Sequence, residues 1–200
     1  DSNLNVLRQL NIFSDVVFHP VDAAALQKLY FTTKNALQAQ IEFPSNIALP
    51  SIPQVTEAYI GLLPAQQYLR LVTDEHGSIR PQVFNDNVRD FQPDSKVNQE
   101  IVATLASANR AEFPLRNNGV TVVARKLRRT GNKFTVEDFQ IVNGCQTSHV
   151  LHSNQTLLSD VAVPLKLIVT EDDDVTNEII KRDARRLHGG PRAAEPPGGR

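Results

Sequence analysis

The chain has 200 residues, 40% of them hydrophobic and 22% charged, with a formal net charge of −1. That length suffices for one or two cores, and the near-neutral balance excludes a general basic footprint for nucleic acid. The single cysteine excludes an internal disulfide and a multi-cysteine zinc site, and no apolar run approaches the length of a membrane-spanning helix.

In chain order, Val16–Phe18 reads as a short strand. Asp22 reads as the cap of a helix from Ala23 to about Gln40, with Leu26, Leu29, Tyr30, Leu37 and Ile41 on its apolar side. The prolines between Phe43 and Pro53 predict an extended or looped segment. Val55–Leu63 has strand character, and Pro64 suits the start of a helix over Ala65–Val72 with Tyr68, Leu69 and Val72 inward. Val83–Phe84 reads as a strand end, and Ser95 as the cap of a helix from Lys96 to Ala108 with Val97, Ile101, Thr104 and Leu105 on one face. Val120–Leu127 and Lys133–Val142, joined by a turn at 128–132, predict an antiparallel hairpin. A helix over Cys145–Gln155 and the strand Val161–Val169 then predict a right-handed strand–helix–strand crossover with parallel strands. The four acids Glu171–Asp174 suit the first turn of a following helix. The fold class is α/β or α+β with a mixed sheet. Its parts are an N-terminal α/β segment (1–75), a core (76–181) and a basic Gly/Pro-rich tail (182–200).

Three polar clusters stand out within this framework. They are Phe84–Phe91 (FNDNVRDF), Phe113–Thr121 (FPLRNNGVT) and Asp138–Thr147 (DFQIVNGCQT). Each sets Asn, Asp, Arg or Gly between apolar residues, and together they predict one polar site assembled from several loops. The third cluster reads as a strand broken by Asn143–Gly144 into a helix start, a geometry that aims backbone N–H groups at an anion. Its plain alternative is a tight connection in which Thr147 satisfies first-turn amides. The candidate ligand-binding residues are Asn87, Arg89 and Asp90 from the first cluster, Arg116, Asn117, Asn118 and Gly119 from the second, and Asn143, Gly144, Gln146 and Thr147 from the third.

The ordered set NVRDF (Asn87–Phe91), VNQEI (Val97–Ile101), NNGVTV (Asn117–Val122) and IVNGCQT (Ile141–Thr147) resembles the AIPR family of bacterial abortive-infection phage-resistance proteins. Ala58–Gly61 and Pro64–Leu69 extend the resemblance, which covers roughly residues 16–180. It implies an antiphage-defence setting, with DNA, a nucleotide and other defence proteins as expected partners. The Asn–Gly–Cys–Gln–Thr turn is also similar in layout to the phosphate loop of the ParB and sulfiredoxin-like fold. There an Arg normally follows the turn, whereas Gln146 and Thr147 stand in this chain. That analogy implies a nucleotide, carried with Mg²⁺, as the bound group and nucleotide hydrolysis as one activity. A sensor or scaffold without catalysis, and a nuclease whose metal acids lie elsewhere, are the rival readings.

Other features read more plainly. His149 and His152 have no evident carboxylate partner for a metal, and Cys145 reads as a packing residue rather than a nucleophile, despite a helix-start position that lowers a thiol pKa. The basic residues Arg125, Lys126, Arg128, Arg129 and Lys133 form either a local DNA patch or a solvated turn. The acids Asp86, Asp90, Glu137 and Asp138 lack the spacing of a nuclease centre. Residues 181–200 carry six Lys/Arg and two Asp/Glu, and the change of character after Lys181 reads as a frameshift, a scar or a basic linker. With no N-terminal leader pattern in this stretch, the expected location is the cytoplasm.

Overall fold

Ala39, Ile41 and Phe43 alternate with Gln38, Gln40 and Glu42, a period of two that suits a strand once another strand lies beside it. In the computed structural model this strand, β1 (Gln38–Glu42), buries Ala39 and Ile41 and leaves the residues between them exposed. The expected helix therefore does not reach Gln40. Ala23, residues 37–84 and residues 95–188 are described by the structure, 182–188 as backbone. The strand expected at Val16–Phe18, most of the helix after it, the first polar cluster beyond Phe84 and the tail after His188 lie outside the described residues. The chain divides into two units, Asp1–Ala36 and Leu37–Arg200, and the sheet with its helices belongs to the second.

After β1 come β2 (Ser45–Ala48), in the segment expected to be looped, and β3 (Glu57–Pro64). Pro64 then leads into α1 (Ala65–Val72), which buries Tyr68, Leu69, Leu71 and Val72. Pro81–Phe84 is a 3-10 turn, not the expected strand end. Ser95 caps α2 (Lys96–Ala106) by accepting the Asn98 N–H at 3.2 Å. A short α3 (Phe113–Arg116) precedes the hairpin of β4 (Val120–Thr130) and β5 (Lys133–Asn143). The hairpin turn is tighter than expected, because Gly131 adopts φ 61° and lets the strands continue to Thr130 and Lys133. There follow α4 (Cys145–Ser153), β6 (Ala162–Val169) and α5 (Asp173–His188). The backbone of α5 continues seven residues past Lys181, where the sequence alone shows no helical period.

The six strands form one mixed sheet in the order β1-β5-β4-β6-β3-β2. All neighbours are antiparallel except β4 and β6. The fold is thus mixed α/β with an antiparallel hairpin, as the sequence indicates. The crossover expectation needs correction. The segment β5–α4–β6 exists, but both edges of β5 are already taken, by β1 and by β4. The only strand left for β6 on that side is β4, so β6 runs parallel to β4 and opposite to β5. The connection is an arch that returns to the end of the sheet where β5 finishes, since Thr121 pairs with Asn143 while Val120 pairs with Leu165.

Both faces of the sheet are covered, which explains the continuous apolar runs in its central strands. Val122, Ile141, Leu165 and Leu167 join Tyr68, Leu71, Leu105 and Leu151 in the main core. The alternate positions Val123, Val142 and Ile168 join Ala58 in a smaller cluster on the opposite face, with Ile179 and Ile180 of α5 packed on it. The helix α2 differs from expectation in its orientation. Asn98, Ile101 and Leu105 are its buried residues, and Val97 is 53% exposed.

Candidate functional site

At the end of the sheet where β5 finishes and β4 begins, two glycine turns lie side by side. Gly144 takes φ 115° at the start of α4, and a Cβ there would lie 2.6 Å from Val120 Cγ2. Gly119 takes φ 77°, and a Cβ there would lie 2.5 Å from the Pro164 carbonyl oxygen. Both conditions, left-handed backbone and close approach, require glycine. The turns and α2 enclose a cavity of about 830 Å³. Arg116, Asn117, Asn118 and Gly119 line it from the second cluster, and Asn143, Gly144, Gln146 and Thr147 from the third. The structure thereby brings together eight of the candidate residues. Asn87, Arg89 and Asp90 lie outside the described residues.

The helix α2 contributes Val97, Glu100, Ile101, Ala103 and Thr104 to the lining, with Ser95, Ser107 and Asn109 at its flanks. Sequence reasoning took this helix for ordinary packing and missed its part in the cavity. The signal was present in Val97, Ile101 and Thr104, which share a stripe that the core does not fully use. Among the described lining residues, formal charge is confined to Arg116 and Glu100, each with a partner. Arg116 donates to Glu112 Oε2 from Nε at 3.1 Å and from Nη2 at 2.7 Å, and Glu100 lies 3.8 Å from Lys96 Nζ.

The Gly144 turn is held from behind. The Tyr68 hydroxyl lies 2.5 Å from Ser148 Oγ, and Ser148 Oγ donates to the Gly144 carbonyl at 2.7 Å. Because the serine proton is directed to Gly144, the phenol is the donor to Ser148. Tyr68 and Ser148 are both fully buried, and burial raises the phenol pKa far above its usual value, with the Ser148 bond opposing that rise. The expected Thr147 cap is absent: the N-cap position is Gly144, without a side-chain hydrogen bond. Cys145 is 7% exposed beside the cavity. His149 stacks on Phe84 with ring centroids 5.6 Å apart, and burial first, then His152, lowers its pKa.

Residues 84–182 match the family model described as AIPR protein. The chain is an AIPR-domain protein. No curated protein and no solved structure matches it, so the likeness to the ParB and sulfiredoxin-like fold finds no support. Membership of the AIPR family suggests a bacterial antiphage defence role. The AIPR match is narrower than the span of 16–180 that the motifs suggest, yet it contains every described lining residue of the cavity. It leaves out β1, β2, β3 and α1, although β1 and β3 pair directly with β5 and β6 of the AIPR segment.

The hairpin arginines of the AIPR domain are engaged within the fold. Arg125 donates to the Glu171 carbonyl at 3.0 Å and pairs with Asp173 and, at 3.7 Å, with Asp138. Arg128 pairs with Glu137, and the Arg129 guanidinium lies over the rings of Phe134 and Tyr59 at 5.0 and 5.3 Å. Glu137 and Asp138 are therefore partners of these arginines. Glu137 stands six strand residues from Asn143, about 20 Å along the sheet from the cavity. Among the described residues no three His, Cys, Asp or Glu side chains are grouped to hold a metal. Glu100 is the single carboxylate among the described lining residues. Among the described residues no helix is long and apolar enough to cross a membrane.

Proposed function

We propose that this AIPR-domain protein serves antiphage defence by binding a nucleotide or a nucleic-acid strand in the cavity between α2 and the two glycine turns. One observation carries the reading. Two turns more than twenty residues apart in sequence, 116–119 and 143–147, line one space of about 830 Å³ together with α2, and each turn contributes Asn to the lining. Cavities of roughly 300–1,000 Å³ suit small-molecule and cofactor ligands. Glycine at 119 and 144 lets the backbone come close to whatever occupies the space.

The test is titration of the full chain with nucleotides and with short single- and double-stranded DNA, with and without Mg²⁺. Asn118→Ala alters an exposed side chain in the lining, and Gly144→Val fills the turn. Binding to at least one ligand class, weakened in both variants, is expected. Failure of the wild type to bind either class, or equal affinity in all three proteins, would leave the loops as structural turns. Product analysis of the Mg²⁺ samples separates a nucleotide hydrolase and a nuclease from a protein that only binds.

A further inference from the structure

The chemistry of the cavity wall selects among the parts of a nucleotide. We infer that the described residues of this site read the donor–acceptor edge of a nucleobase. The inference rests on the proposal that the cavity binds a nucleotide or a strand.

Three features carry it. The first is charge. The two charged groups in the described lining, Arg116 and Glu100, cancel formally, and each has a partner at Glu112 and Lys96. Binding that rested on guanidinium or ammonium groups would weaken with salt in step with the number of phosphate charges they neutralise. The second is donor type. Asn118 and Asn143 place two carboxamides on the turn side of the cavity. A carboxamide is planar and offers both a donor and an acceptor, which is the pattern a base edge presents and a phosphate does not. The third is the helix in the lining. Val97 and Ala103 of α2, both exposed, add apolar side chains to the same cavity. A flat heterocycle has an apolar face and a polar edge, and this cavity offers a matching surface to each.

The experiment titrates the full chain with the four common nucleosides, their monophosphates and inorganic phosphate at two salt concentrations. A single-stranded oligonucleotide is compared with its abasic counterpart, which separates a base within a strand from a free nucleoside. At least one nucleoside should bind within about threefold of its monophosphate, with little change on raising salt, because charge neutralisation contributes little. A base-bearing strand that binds while the abasic strand does not supports the same inference with a strand as the source. Asn118→Asp and Asn143→Asp each replace a donor by an acceptor at nearly constant shape and should cost about tenfold in affinity. Asn118 is exposed, so its variant should keep the wild-type melting temperature. Unchanged affinity in both variants overturns the assignment of the carboxamides to base reading. Binding of monophosphate and phosphate without any nucleoside or base dependence overturns the inference and leaves the nucleotide reading standing. No binding of any ligand overturns both.

Discussion

Gly144→Ala tests the physical account of the site most directly. The native φ of 115° is one that an L side chain rarely adopts, and holding alanine there costs about 1–3 kcal/mol. The new Cβ would also meet Val120 Cγ2 at 2.6 Å and Cγ1 at 3.0 Å. Overpacking of that kind adds about 1–3 kcal/mol. The two causes can be separated. Val120→Ala removes both methyl groups but does nothing for the backbone, so the double variant should recover the steric part alone. Urea unfolding of the four proteins, followed by circular dichroism, gives the coupling. The single variant should lose about 2–6 kcal/mol, and the double-mutant cycle should show a compensating coupling of about 1 kcal/mol or more. A Gly144→Ala protein within about 0.5 kcal/mol of the parent, or strictly additive effects, would refute the close approach. Gly119→Ala provides the contrast. Its nearest neighbour is the Pro164 carbonyl oxygen, a backbone atom, so no side-chain truncation should rescue it.

Ser148→Ala should destabilise by about 1–3 kcal/mol because it strands the buried Tyr68 hydroxyl, while the Gly144 carbonyl keeps the backbone N–H of residue 148 at 2.8 Å. Tyr68→Phe leaves the Ser148–Gly144 bond intact and should cost less, about 1 kcal/mol, and thermal melts that reverse this order would contradict the assigned direction of the chain. Arg125→Ala breaks surface interactions with Glu171 and Asp173 and should lower global stability by no more than about 1 kcal/mol. Its effect should instead appear as faster amide exchange at the start of α5, and unchanged exchange there would show that the arginine does not hold the helix. His149 has a folded-state pKa below its unfolded value, because burial opposes its charge. Its contribution is therefore complete above the unfolded value of about pH 6.5 and is lost below it, as pH falls through the depressed folded-state pKa. His149→Gln should flatten this part of the acid limb of a stability–pH profile, and an unaltered limb would discount the burial.

The sequence by itself determined what rests on local chemistry. Ser95 marks the start of α2, Pro64 the start of α1, and Gly144 the break between β5 and α4, because capping, proline geometry and left-handed backbone act within a few residues. The ordered motifs likewise identify the AIPR family without coordinates. Tertiary structure decided what depends on partners distant in the chain. Gln38–Glu42 is a strand because β5 lies beside it, and β6 joins β4 because β5 has no free edge. The partners of the hairpin arginines, Asp173, Glu137 and the ring of Tyr59, are likewise set by the fold. Tyr68 and Ser148 are 80 residues apart, so no local pattern signals that one supports the turn through the other. The clusters at 113–121 and 138–147 announced a polar site, but which residues of α2 line it depended on packing. Burial of Asn98, Ile101 and Leu105 turns Val97 toward the cavity, a choice made by the surface beneath the helix and not by the helix sequence.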